Sequence, residues 1–393
     1  MLHNKNLITA LIALFVFASC LEDKGLSRQL PPIEKESIDL VPESDFTIQE
    51  LKYAKGFSVR DYENYKILNV INPWPKADEI FSFVLSEDKD IYNIKDNEFV
   101  SIQVPIQKIV VTSTTHIPAL ELLGVEQTLV GFPGVDYVSS EKTRARIDNG
   151  EIRELGKNED INTEVLLELR PDIVIAFGVD GTNKSMETIA KAGIPVIYNG
   201  DWVEKSPLAK AEWIKFFGVL YNKEKEADSI FNRIENDYLE AKKIASEAVY
   251  KPTVLCGAMY KDVWYLPNGT SPEAQFLNDA NVNYLWSDTK EAGSLALSFE
   301  AVFVKAKNAQ LWLSPSYYSS YIALEESSSH YTQFEAFQKK NIYTFANTTG
   351  KTGGVTYYEL GMARPDLVLK DMIKVCHPEL LQDYDTTFFK PLE

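Results

Sequence analysis

One long amphipathic stretch near the middle of the chain, residues 223 to 249, limits what this sequence can fold into more than any other feature. Ala227, Ile230, Ile234, Tyr238, Ala241 and Ile244 recur at three- and four-residue steps, with charged residues elsewhere. That pattern is one apolar stripe along a single helix. At 1.5 Å per residue, about 27 residues reach roughly 40 Å, long enough to brace two separate bodies.

The flanking sequence supplies those bodies. Ahead of the helix, Ile109 to Val111, Leu129 to Phe132, Ile173 to Phe177 and Pro195 to Tyr198 read as short apolar strands. Helical stretches separate them, from Pro118 to a stop at Gly124, from Thr163 to Leu169, and before Gly193. Ser206 and Pro207 form a cap and first-turn pair for a helix over Leu208 to Leu220. After Pro252 the alternation restarts at Thr253 to Leu255, Gln310 to Leu313 and Ile342 to Phe345, and a helix from Pro365 to Val375 closes the core. Apolar strands alternating with helices specify parallel sheets covered on both faces. Residues 46 to 104 differ: Tyr65 to Ile71, Ile80 to Leu85 and Phe99 to Val104 are β-like runs, read as a small β extension to the first lobe.

The amino end points to export. Lys5 precedes an apolar run from Leu7 to Phe17, too short to span a bilayer as a helix, which takes about 20 residues. It fits the apolar region of a signal peptide over residues 1 to 19. Ser19 followed by Cys20 resembles the lipobox of bacterial lipoproteins, with Phe17 where Leu is usual, so Cys20 is the expected lipidation site. The acidic residues after it resemble the surface-export signal of Bacteroidetes lipoproteins. Residues 20 to 45, rich in Pro, Glu, Asp and Ser, then form the anchor and a flexible tether. The expected location is the cell envelope, periplasmic or at the cell surface.

Charge excludes some partners. A net charge of −17 argues against nucleic acid, which needs basic patches, and disfavours a polyanionic ligand. Cys256 and Cys376, both in apolar contexts, read as buried free thiols too few for a metal knuckle. No Gly-x-Ser-x-Gly elbow, phosphate loop or His-Glu-x-x-His is present, so the expected protein is not an enzyme. With His3 in the signal, the remaining histidines are His116, His330 and His377, without a visible cluster.

Three stretches resemble a known family: Lys108 to Gly124, Glu168 to Ala176 with Ala192 to Ile197, and Gly293 to Glu300 with the strand at Trp312. They are similar to class III (cluster A) substrate-binding proteins of ABC importers, in the branch serving ferric siderophores, haem and cobalamin. The ending from Arg364 to Lys374 with His377 also looks like this branch. The resemblance implies an α/β fold of two Rossmann-like lobes with mostly parallel sheets, residues 105–222 and 251–393, joined by one long helix at 223–250. It further implies a ligand in the cleft between lobes and no resident cofactor. The implied partners are a small-molecule ligand, a permease in the inner membrane and the membrane through the lipid, the protein itself being a monomer. A zinc or manganese binder of the same fold is the alternative, and an enzyme a weaker one.

Ligands of open α/β sheets lie beyond the carboxyl ends of the strands. The first-lobe candidates are therefore Thr114, Thr115 and His116 after the first strand, with Phe132 and Tyr137 after the second. The second lobe offers Tyr260, Trp264, Tyr265, Trp286, Tyr317 and Tyr318, aromatic faces suited to a large ring-bearing ligand. Arg144, Arg146 and Arg153 form the one visible arginine cluster. In the resembled family each lobe presents a glutamate to the permease. Glu300 matches the second-lobe position, with Glu187, or alternatively Glu212, in the first.

Overall fold

The computed structural model describes residues 46–88, 99–181, 183–291 and 293–393, and the signal segment with Cys20 lies outside them. The chain opens on a five-stranded sheet of strands β1 (Thr47–Ile48), β2 (Phe57–Asp61), β3 (Lys66–Ile71), β4 (Ile80–Ser86) and β5 (Val100–Gln103) in sequential order. All pairs are antiparallel except β4 with β5. Phe57 and Val59 alternate inward along β2, as a sheet with one buried face requires.

The first lobe is a parallel sheet of β6 (Ile109–Val111), β7 (Leu129–Phe132), β8 (Arg153–Glu154), β11 (Ile173–Phe177) and β12 (Val196–Asn199), ordered β12-β11-β6-β7-β8. A small hairpin of β9 (Gly156–Lys157) and β10 (Asp160–Ile161) interrupts the numbering. Every residue of β6 is buried, since helices cover both faces. The second lobe has β13 (Thr253–Cys256), β16 (Asn283–Tyr284), β18 (Leu311–Leu313), β19 (Ile342–Thr344) and β20 (Lys390–Pro391) in the order β16-β13-β18-β19-β20, parallel but for β20. An antiparallel ribbon of β14 (Ala258–Tyr260), β15 (Val263–Pro267) and β17 (Ser294–Ser298) rises from it.

A 23-residue helix, Glu224–Ser246, joins the lobes. Its buried face steps through Ala227, Phe231 and Ile234, which belong to the first-lobe core, then Tyr238, Ala241 and Ala245, which belong to the second-lobe core. One continuous stripe thus serves two cores, so the helix cannot bend freely without unpacking one of them.

The stretch 208–220 is not one helix. It divides into Pro207–Ala211 and Ile214–Leu220, and the residues at the break, Glu212 and Trp213, face the β extension. The Glu212 carboxylate accepts the backbone N–H groups of Lys52, Tyr53 and Ala54 at 2.9, 2.7 and 2.8 Å. The Lys215 ammonium lies 3.1 Å from it, and Phe57 packs on Trp213 at 4.8 Å between ring centres. Glu212 is fully buried, so it cannot be the exposed permease contact that the sequence offered as an alternative.

Candidate functional site

A cleft of about 1880 Å³ opens between the lobes, well above the ~300–1000 Å³ usual for drug-sized ligands. Its second-lobe wall is aromatic. Tyr260 and Tyr265 come from the ribbon, Tyr317 and Tyr318 from the loop after β18, and Tyr357 and Tyr358 from a short helix beyond β19. Tyr317 and Tyr358 lie 5.7 Å apart, and Phe345 stacks on Tyr357 at 4.4 Å. Burial beside the Tyr317 hydroxyl pushes the Tyr358 hydroxyl up, so Tyr358 stays a neutral donor at physiological pH.

The opposite wall is built from two sources. Trp202, Lys205 and Lys210 follow β12 in the first lobe, while Tyr53, Lys55, Trp74 and Lys76 come from the β extension. The charged residues lining the cleft are five lysines, Lys55, Lys76, Lys205, Lys210 and Lys290, against Glu204, Glu273 and Glu291. Glu204 is already engaged, accepting from Lys55 N, Gly56 N and the Trp213 indole. The cleft is therefore locally cationic in a chain of net charge −17, which reverses the expectation drawn from overall charge. Net charge is a sum over the whole surface and does not fix the sign inside one cleft.

Several candidate residues stand elsewhere. The Trp264 indole is fully buried, donates to the Cys256 carbonyl at 3.0 Å, and packs against Trp312, Tyr331 and Phe334 at 5.4–5.5 Å. On β15 successive side chains alternate, so Trp264 faces the core and Tyr265 the cleft. Trp286 is buried against Tyr284 with the Lys305 ammonium over its ring. Phe132 lies in the first-lobe core. Thr114 and Thr115 are half-buried in a tight turn whose Thr115 hydroxyl bonds Ser113 at 2.8 Å.

His116 is fully buried, with burial pushing its imidazole down to about 3 and neither ring nitrogen hydrogen-bonded to the protein. Its nearest carboxylate is Asp201, at 3.9 Å, whose own group desolvation raises to about 7 against the pull of Lys210. Neither lines the main cleft, and a neutral, enclosed imidazole there is no ligand contact. Among the described residues no three His, Cys, Asp or Glu side chains converge to hold a metal. His377 instead contacts the Ala280 carbonyl at 3.0 Å, and His330 packs tilted against the Phe299 ring. Cys256 and Cys376 are both free thiols.

Tyr137 is exposed, but its loop is occupied by the second lobe. The Glu359 carboxylate accepts Ser139 N and Ser140 N at 2.7 and 2.9 Å, and the Thr352 hydroxyl donates to the Asp136 carbonyl at 2.8 Å. At Gly354 a side chain would run into the Tyr137 carbonyl, so only glycine permits this approach. Arg144 and Arg146 are spent on first-lobe carbonyls and Arg153 pairs with Glu168 at 3.8 Å; none of the three lines the cleft. Sequence reading missed Trp74, Lys76 and Trp202. The one available signal was the run Asn72-Pro73-Trp74-Pro75-Lys76, an aromatic and a cation held in a proline-bounded turn.

Two α/β lobes, one rigid connecting helix and an open cleft between them define a solute-binding protein of the helix-linked class. The model of the periplasmic binding protein family matches residues 109–349, and the chain belongs to that family. It is 26% identical over 362 residues, 86% of this chain and 84% of the relative, to an uncharacterised lipoprotein of Methanocaldococcus jannaschii. Among solved structures, a periplasmic binding protein from Veillonella parvula shares the fold at TM-score 0.55 and 15% identity, covering 79% of this chain and 92% of the other. A possible iron-binding periplasmic protein from Staphylococcus epidermidis does so at 0.54 and 18%, over 70% and 99%. A periplasmic haem-binding protein from Pseudomonas aeruginosa does so at 0.54 and 16%, over 73% and 98%. Membership of the periplasmic binding protein family makes a solute-binding role the one this fold serves, and the solved neighbours share that fold.

Proposed function

We propose that the chain is the substrate-binding lipoprotein of an ABC importer, capturing an iron complex (siderophore or haem) or cobalamin between its lobes and delivering it to a permease. The observation behind this reading is the size and lining of the cleft, about 1880 Å³ with tyrosine faces on one side and lysines on the other. Aromatic faces suit a large ring-bearing molecule, and ammonium groups suit its acidic substituents. The haem- and iron-binding neighbours support the same ligand range. No observation favours a bare zinc or manganese ion, because no histidine among the described residues lines the cleft. Titration of the full chain in detergent with hemin, ferric enterobactin and cyanocobalamin tests the reading. Trp202 lines the cleft and should report binding by quenching.

The proposed place of action is the cell envelope, with the protein held to a membrane by a lipid on Cys20. The family name and the lipoprotein relatives support it. No described helix is long and apolar enough to cross a membrane. Cys20→Ser should move the protein from the membrane to the soluble fraction or block its processing. Membrane partitioning by that variant without an acyl mass would overturn the anchor.

Permease docking is proposed through Glu300 and Glu187. Glu300 is exposed in the first turn of the helix Phe299–Ala306, one turn from Val304, an exposed apolar residue on the same face. Glu187 is exposed early in the helix Lys184–Lys191, within 3.7 Å of Lys191. Glu300→Arg should leave ligand affinity within about twofold, since the residue does not line the cleft, and lower uptake by about tenfold through like-charge contact with permease cations. Normal uptake by this variant would remove Glu300 from the docking surface.

A further inference from the structure

The β extension lies ahead of the family-matched region, yet its residues stand on the cleft. Two of its segments do so. The first, Tyr53 to Gly56, is pinned by Glu212 and Glu204, which together accept the backbone N–H groups of residues 52 to 56. The second, Ile71 to Ala77, crosses the carboxyl ends of β11 and β12. There Trp74 meets Tyr198 edge-on at 5.2 Å, and Pro73 lies so close to Gly200 that an added Cβ would stand 3.0 Å from its Cα. This is the position where an open α/β sheet ordinarily meets its ligand. The extension thus occupies part of the crevice rim and offers its own side chains in place of the first-lobe loops. On the far side, the Asp136 to Ser140 loop is taken up by the second-lobe segment around Gly354 and Glu359.

Backbone strain marks the same surface. Among the described residues nine that are not glycine have positive φ, and four of them, Asn72, Lys76, Ser314 and Ser316, line the cleft. Left-handed backbone is unfavourable at such residues and persists where the surroundings enforce it, commonly at ligand clamps. Two of the four belong to the extension and two to the facing loop after β18.

We infer that the β extension is a wall of the ligand site, and that Lys55 and Lys76 on it select ligands bearing acidic groups. The inference rests on the reading of the cleft as a site for a large metal chelate. Both lysines line the cleft, whose second-lobe wall is tyrosine. Together with Lys205 and Lys210, which also line the cleft, they supply positive charge that a dianionic or polyanionic chelate neutralises and an uncharged one does not.

The test uses the full chain in detergent with three probes: hemin, which carries two propionates, ferric enterobactin, which is polyanionic, and cyanocobalamin, which has no net charge. Lys55→Ala with Lys76→Ala should weaken binding of at least one anionic probe by about tenfold or more, the size expected for two lost charge contacts, and flatten its salt dependence. Cyanocobalamin affinity should change by less than about twofold. Lys243→Ala with Lys307→Ala, exposed and away from the cleft, is the control and should change neither. Both lysines of the test pair are exposed, so the double variant should fold as the parent does. A smaller loss for every anionic probe that the parent binds would overturn the inference and leave the chelate reading standing. Binding of cyanocobalamin alone by the parent would also overturn it. Binding of none of the three would overturn both.

Discussion

Trp264→Ala should lower the unfolding free energy by about 3–5 kcal/mol, the usual cost of deleting a fully buried tryptophan. Its indole fills the centre of a four-ring cluster with Trp312, Tyr331 and Phe334, and its N–H satisfies the Cys256 carbonyl at the end of β13. Truncation would leave a cavity among rings already fixed by other bonds: Trp312 donates to Gly257 O at 2.8 Å, and Tyr331 accepts from Met259 N at 2.8 Å. Such a core relaxes little, so the cavity term is retained in full. Denaturant unfolding of the second lobe measures the loss, and fluorescence follows the other tryptophans. Ligand affinity measured well below the midpoint should hold within a few-fold, because the neighbouring Tyr265 and not Trp264 faces the cleft. A stability change under about 1 kcal/mol together with lost binding would return Trp264 to the ligand site.

Glu212→Ala should cost about 3–5 kcal/mol, as removing one member of a buried ion pair generally does. Three backbone N–H groups would lose their acceptor, and Lys215, itself buried, would keep Asp228 at 3.1 Å, the Glu50 carbonyl at 3.2 Å and the face of the Phe231 ring. The damage should concentrate at the seam between the β extension and the first lobe. Limited proteolysis should therefore cut around residues 50–56 in the variant and not in the parent. Because the same segment stands on the cleft, binding of anionic chelates should weaken as well. A variant with parental stability and parental resistance to cleavage would show that the extension is held by its apolar face alone.

The two lobes and their connector were legible because each rests on a local repeat. The three- and four-residue stripe from Ala227 to Ile244 and the buried strand Ile109–Val111 need no partner to be recognised. The candidate site was harder, for a physical reason seen at β15. Tryptophan and tyrosine at successive positions look equally suited to a ligand, but strand alternation sends one to each face, and the pairing with β17 decides which. The role of the extension had almost no sequence signature. Lys52 and Glu212 are 160 positions apart, and the donors that Glu212 captures are backbone N–H groups, which every residue but proline carries. The cationic cleft was hidden in the same way. Its lysines come from the extension, the first lobe and the second lobe, and no two of them are neighbours in the chain.

The central claim is that the cleft takes a large metal chelate. Native mass spectrometry of the protein purified from its own host, with an absorbance spectrum of the same sample, tests it most directly. The account predicts one bound molecule per chain, with the mass and visible bands of a siderophore complex, a haem or a corrinoid. A single bare zinc or manganese ion, or a small colourless solute, as the only bound species would contradict it.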